Sequence, residues 1–391
     1  ANYWEQLSPS TAPPERYAHT AVWSAAANGF YVFGGNDGNV ALPDLRFYGR
    51  EASEGHRLLL ARGTFFVKYW QIPAPQGVLL GPVNSWEQTS SSGPYPYERM
   101  WHSAVWSPAA NGFYVFGGIS DSPGPESYML EYSAGVVNTY IEDNLWFYGR
   151  EASSWEYLSP SGTTPPERYA HTAVWSAAEN GFYVYGGNDG HKYYGVLDDL
   201  WFYGREVNSW EQLSWSGYER MWHSAVWSPA ANGFYVFGGH GSGPGHVLGD
   251  LLFYGREANS WELPSPSGTA PPARYGHTAV WSAAANGFYV FGGNGDGGLG
   301  PESTHVSQAN SWEQLSPSGT APPERYGHTA VWSAAANGFY VFGGNDGSLG
   351  PESTSGAAQQ PAMLHDAALR CVGGGSPRQP RSPQRLVVLR A

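Results

Sequence analysis

The sequence predicts an all-β fold, a six-bladed β-propeller, on three observations. A 22-residue segment returns six times, the copies follow one another at a common interval, and the strands inside each copy are apolar on both faces. A chain of 391 residues is long for one ordinary core but normal for one propeller.

The repeat is found by self-comparison. "PERYAHTAVWSAAANGFYVFGG" (Pro14–Gly35) comes back as "PERYGHTAVWSAAANGFYVFGG" (Pro323–Gly344), differing only at Ala18 against Gly327. Every copy keeps Arg, two residues, His, an apolar run, Asn-Gly, an aromatic run and Gly-Gly. The anchors are Arg16/His19, Arg99/His102, Arg168/His171, Arg220/His223, Arg274/His277 and Arg325/His328. Arg-to-Arg spacings are 83, 69, 52, 54 and 51, so the unit is 51–54 residues and the first two gaps carry insertions. Copies two and four read "ERMWH" where the others read "RYAH" or "RYGH", a second level of duplication.

Each blade follows from local chemistry. "HTAVWS" is a first strand, rich in β-branched and aromatic residues. "AANG" is a turn, because Asn and Gly tolerate the positive φ that a hairpin needs. "FYVFGG" is the second strand, its glycines permitting close approach or a sharp bend. "DLWFYGRE" (Asp199–Glu206) is the third and "SWEQL" (Ser209–Leu213) the fourth. Phe234–Phe237 are apolar without alternation, as sheets pressed between neighbours require. A sandwich with one wet face would alternate.

Arg-x-x-His, an aromatic strand closed by Gly-Gly, then "LWFY" and a later Trp, six times over roughly residues 1–350, resembles the Kelch repeat. The resemblance implies a ring closed by a chain terminus. "YWEQL" (Tyr3–Leu7) is a fourth strand with no blade before it, and the sixth copy has no "SWEQL" of its own. Tyr3–Leu7 should therefore become the outer strand of blade six, with Trp4 buried against it, as for Trp86, Trp155, Trp210, Trp261 and Trp312. It also implies a binding role for Arg16, Arg99, Arg168, Arg220, Arg274 and Arg325. In Kelch domains that bind partners, an Arg at the start of the first strand points into the pocket at one mouth, where it would hold an acidic peptide bidentately. The competing reading pairs each Arg locally with the Glu before it, present in five of six copies, or has it cap a turn.

Three stretches depart from the pattern. Blade six lacks a recognisable third strand, so the terminal strand pairs across a gap or recruits tail residues; residues 351–391 carry no aromatic residue, end basic and Pro-rich, and read as a disordered or loosely docked tail outside the propeller of residues 1–350. In blade five only Ser303–Gln308 is available as a degraded third strand. Residues 53–83 interrupt blade one between "GRE" and "SWE", too short for a blade. Two origins stay open for them, a genuine loop packed on the ring or on a partner, and an imperfect gene model.

A net charge of −13 disfavours nucleic acid and anionic membrane as partners. No run of 18 apolar residues is present and the first residues lack a signal-peptide pattern. The single Cys371 permits no internal disulfide, which points to a reducing, cytoplasmic setting and a monomer. The six repeated histidines are read as structural, one per blade. His240 and His246, in one Gly-rich loop, could meet a metal, but no Cys or carboxylate cluster supports it; no metal or cofactor is expected. Asp37, Asp189 and Asp346 read as turn formers.

Enzymatic relatives fit poorly. A copper-radical oxidase of the galactose oxidase type needs a Cys cross-linked to Tyr inside the ring, and Cys371 lies in the tail. A nitrile-specifier Glu-x-x-x-Asp-x-x-x-His signature is lacking, and for a sialic-acid epimerase no catalytic constellation stands out. The expected function is a non-enzymatic protein-interaction scaffold that binds a protein or peptide through the variable loops of one face. The alternative is a carbohydrate-binding or carbohydrate-modifying propeller.

Overall fold

A computed structural model describes residues 3–7, 12–49, 85–89, 91, 93–122, 127–129, 139–191, 195–243, 245–295, 298–299, 304–308, 311–319, 321–334, 336–346 and 386–390. Among them there is no helix. Blade three shows the unit: Thr172–Ser176, Gly181–Tyr185, Leu200–Gly204 and Ser209–Gln212 form an antiparallel sheet in that order. The six inner strands are Thr20–Ser24, Ser103–Ser107, Thr172–Ser176, Ser224–Ser228, Thr278–Ser282 and Thr329–Ser333. Each neighbours the next and the sixth neighbours the first, so the ring is closed with six blades.

The first hairpin owes its turn to the Asn of Asn-Gly. Asn28, Asn111, Asn180, Asn232, Asn286 and Asn337 all sit in the left-handed region, with φ between 44° and 50°, which Asn tolerates better than most residues. The doubly apolar second strands serve two interfaces at once. In Gly112–Phe116, Phe113 and Val115 pack with Tyr31 and Phe33 of blade one, while Tyr114 and Phe116 pack with Phe182 and Val184 of blade three. All four are at most 4% exposed.

Blade six is assembled from three parts of the chain. Thr329–Ser333 and Gly338–Phe342 pair with each other; Leu386–Arg390 is third and Tyr3–Leu7 is outermost. Trp4 is 5% exposed, its ring centroid 5.1 Å from that of Phe291 and 5.8 Å from that of Phe339. The expected closure is therefore the one adopted. Of the two ways left open for the terminal strand, recruitment of tail residues is the one adopted: "LVVLR" (Leu386–Arg390), a short β-branched run, fills the place between the two strands. Its apolar residues are aliphatic, so a search for an aromatic third strand passes over it. Blade five takes Thr304–Gln308 as third strand, within the stretch expected. Residues 53–83 and the rest of the tail lie outside the described residues.

The connection leaving one blade seals the outer edge of the next. Ser267–Gly268 runs parallel to Ser311–Leu315, Ser318–Gly319 to Tyr3–Leu7, and Ser161 bridges Ser209. Outer strands with unpaired edges would invite aggregation.

Candidate functional site at the axial mouth

Inner strands begin, and second strands end, on one face of the ring. That face therefore carries the loops after Gly-Gly, the connections between blades and the Arg-x-x-His segments. The residue before each repeated His lies in the left-handed region: Ala18, Trp101, Ala170, Trp222, Gly276 and Gly327, with φ between 53° and 62°. Such a φ is unusual for a residue as bulky as Trp, and a closed circle of main-chain bonds holds it. Trp101 N–H donates to Ala18 C=O, Ala170 to Trp101, Trp222 to Ala170, Gly276 to Trp222, Gly327 to Gly276 and Ala18 to Gly327, at 2.7–2.9 Å.

Two further circles lie outside it. The second glycine of each pair donates its N–H to the Arg carbonyl of the next blade, from Gly35→Arg99 round to Gly344→Arg16, at 2.8–2.9 Å. Each His Nε2 meets a Thr or Ser hydroxyl of the preceding blade at 2.7–2.9 Å, as for His102 with Thr20 and His19 with Thr329. The first glycine needs its missing Cβ: at Gly34, φ is +69° and a Cβ would stand 2.5 Å from the Arg99 carbonyl oxygen. The six histidines are 4–6% exposed. Burial, and then the neighbouring arginine, pushes the His19 and His277 pKa values down to about 3; burial first also holds His102, His171, His223 and His328 well below the ordinary value. All six are neutral hydrogen-bonding struts at pH 7.

The six repeated arginines are not at an open mouth. Arg16, Arg99, Arg168, Arg220, Arg274 and Arg325 are 0–7% exposed, and each Nη1 donates to the carbonyl of the first glycine of its own blade at 2.6–3.0 Å. Three of them bind the Asp that opens the third strand: Arg16 with Asp44, Arg168 with Asp199 and Arg220 with Asp250, in two bonds each of 2.7–3.1 Å. Burial alone would raise the Asp44 and Asp199 pKa values, but the arginine bonds and charge outweigh it and hold them low. Against the expected binding role stands this burial: beneath the face every guanidinium braces the end of its second strand, and in blades one to four it also reaches the third. Neither local partner weighed from sequence supplies the carboxylate; it comes from about 30 residues downstream.

Blade two varies this node. Asn144 stands where its neighbours have Asp, and Arg99 Nη1 donates to Asn144 Oδ1 at 2.8 Å. Asn144 in turn donates to Glu142, a wholly buried carboxylate that also accepts from Ser120 Oγ at 2.6 Å. Sequence reading missed Glu142; the signal available was Asn for Asp in "NLWFYGRE", with an acid two residues before it.

At the centre of the face is a cavity of about 100 Å³ lined by the six residue-His pairs. Trp101 and Trp222 meet there edge to face, 5.8 Å apart. The Ala and Gly at the equivalent positions of the other four blades leave them room, which accounts for the alternation of "RMWH" with "RYAH" and "RYGH". His240 is 7% exposed, its Nδ1 donating to Gly241 C=O at 2.7 Å, whereas the exposed His246 is directed to Ser242 C=O at 3.3 Å. No group of three or more metal-ligating side chains occurs among the described residues, nor does any helix long and apolar enough to cross a membrane.

Known proteins show the same repeat. A family model described as the KLHDC2/KLHL20/DRC7 Kelch-repeats domain matches residues 82–227, 132–294 and 222–349. The Leucine-zipper-like transcriptional regulator 1 homolog of Drosophila melanogaster is 26% identical over 84% of this chain and 29% of its own length. The Rab9 effector protein with kelch motifs of Gallus gallus is 30% identical over 50% of this chain and 52% of its own. Host cell factor 1 of Rattus norvegicus is 32% identical over 39% and 7%. The chain thus spans about half or less of the length of these curated relatives. Six blades with a common node, and a family match running over overlapping stretches from blade one's outer strand to blade six, place this chain in the Kelch-repeat family.

Proposed function

We propose that this propeller is a non-enzymatic interaction module that captures a partner protein on the face bearing the axial mouth. The observation that carries the reading is the distribution of exposed aromatic residues. Tyr95, Tyr97, Trp215 and Tyr218 are 59%, 38%, 65% and 37% exposed. All four belong to the connections that enter the two "RMWH" blades, on the same face as Trp101 and Trp222. Aromatic residues gathered on a rigid scaffold are the usual anchors of protein interfaces. Among the relatives, one carries the word effector in its name, which is in keeping with a docking role. The burial of the six arginines weighs against the acidic ligand expected from the sequence.

The test is selection from a displayed peptide library by the whole chain, repeated with Tyr97→Ala/Trp215→Ala. Both positions are exposed, so the variant should fold. Selected peptides that bind the unaltered chain and lose binding to the variant support the reading. Binding unaffected by the variant would place the docking surface elsewhere. Carbohydrate binding is the second reading, because the same rings could stack on sugars; a glycan array that gives ligands where the peptide library gives none would favour it.

A further inference from the structure

Resting on that docking face, we infer that its partner presents an arginine-bearing, extended segment, and that the two "RMWH" blades form the receptor for it. The first ground is charge. The six arginines of this face are turned inward. Among the described residues, its loops leave partly or fully exposed the carboxylates Glu98, Glu167, Glu219, Glu324, Asp121 and Asp198. Burial first, and then the nearby Glu98, raises the pKa of Asp121; burial and the nearby Asp199 and Glu219 do the same for Asp198. Crowded carboxylates of this kind gain from an incoming cation. An overall charge of −13 steers a basic segment toward the protein and an acidic one away.

The second ground is the pairing of ring with acid. Only the connections into blades two and four place a tyrosine directly before the glutamate, as Tyr97-Glu98 and Tyr218-Glu219; the blades with a glutamate at that place otherwise have Pro-Glu. Trp215 stands three residues ahead of Tyr218 and Tyr95 two ahead of Tyr97. Trp101 then follows Tyr97, and Trp222 follows Tyr218, at the fourth position, a reach of at most ~14 Å. Tyr97 and Tyr218 thus each lie within that reach of the Trp101–Trp222 contact. A guanidinium can lie flat on Trp or Tyr while its edge takes a carboxylate bidentately. Lysine satisfies the charge but lacks the planar stack, and a glutamate-bearing segment meets repulsion at each acid.

The experiment uses the full chain and three labelled eight-residue peptides in which Gly alternates with Arg, Lys or Glu, read by fluorescence anisotropy at about 0.15 M salt. The expected result is binding of the Arg peptide, weaker binding of the Lys peptide and none of the Glu peptide. Tyr97→Ala/Tyr218→Ala should weaken the Arg peptide about tenfold, with Glu98→Gln/Glu219→Gln having a similar effect, and thermal melts should show both variants folded. Preference for the Glu peptide with sensitivity to the same variants would overturn the basic partner while leaving the docking face in place. Arg-peptide binding untouched by either variant would be unspecific charge attraction and would also overturn it. The chain's own Arg378, Arg381 and Arg385 offer a competing occupant. If the Arg peptide binds only after these three are changed to Gln, the occupant is this chain itself and an external partner is overturned.

Discussion

Lowering the pH should unfold this propeller near pH 5, in a transition driven by its six buried histidines. In the folded chain the His19 and His277 pKa values are about 3 and the other four are well below the ordinary value; in the unfolded chain each returns to ~6.5. A depressed histidine pKa means that the unfolded state binds the proton first. The stability from the neutral form is therefore complete above ~6.5 and is lost as pH falls through the window toward 3. Each pH unit below 6.5 costs about 1.4 kcal/mol per histidine, and six together cost about 8 kcal/mol. A domain stable by ~5–15 kcal/mol has lost that margin roughly one to two units below 6.5. Asp44 and Asp199 do not compete in this range, because they are held low and release their contribution only in stronger acid. Tryptophan fluorescence and circular dichroism across pH 7 to 3 should give one cooperative transition, and potentiometry should find about six protons taken up with it. His102→Asn/His277→Asn should reduce the uptake by about two. A chain that keeps its fold to pH 4, or unfolds with the uptake of one proton, would refute the reasoning.

The remaining predictions concern the seam and the arginine nodes. Trp4→Ala should cost ~3–5 kcal/mol, as large-to-small changes of buried Trp do, and deletion of residues 1–7 should lower the melting temperature and promote aggregation through the uncovered edge; unchanged melting in both would show that the ring does not depend on this strand. Glu142→Gln should cost about 3–5 kcal/mol by removing the buried negative charge that offsets Arg99 across Asn144, and adding Asn144→Asp should restore melting by recreating the node of blades one, three and four. Gly117→Ala should destabilise strongly in a thermal melt, since φ is +66° and the new Cβ would lie 2.6 Å from the Arg168 carbonyl oxygen. Tolerance there would mean that the Gly-Gly bend is not fixed by the next blade.

Much of the ring was legible because its determinants are local. Asn-Gly sets the hairpin turn through one dihedral angle, and "FYVF" declares two buried faces by its lack of alternation; six equal copies then leave little freedom in the architecture. Trp4 could be placed because five equivalent tryptophans define its environment. The third strand of blade six resisted the same method. Leu386–Arg390 lies 40 residues beyond Asp346 and carries no repeat residue, so only the vacant place between Gly338–Phe342 and Tyr3–Leu7 identifies it. Partners that lie far apart in the chain were similarly hidden. Arg168 and Asp199 are separated by 31 residues and His19 and Thr329 by 310, and no local pattern couples them.

The arginines show why a repeated residue is a poor guide to a binding site in a ring of near-identical blades. A ligand on the axis meets the six blades in different ways, so the contacts it selects should differ between blades. A residue that every blade keeps answers a demand that every blade shares. Here that demand is geometric, because each second strand ends in a Gly-Gly bend whose first carbonyl needs a donor and whose second N–H needs an acceptor. Each arginine serves two bends, supplying the donor through Nη1 within its own blade and the acceptor through its backbone carbonyl to the blade before. The residues free to vary are those that break the sixfold pattern: Trp101 and Trp222 against Ala and Gly, and Tyr97 and Tyr218 against Pro. They stand on one face, which among the described residues leaves Glu98 partly exposed and Glu219 exposed beside the two tyrosines. The repeat thus builds the ring, and the departures from it mark where a partner is expected to dock.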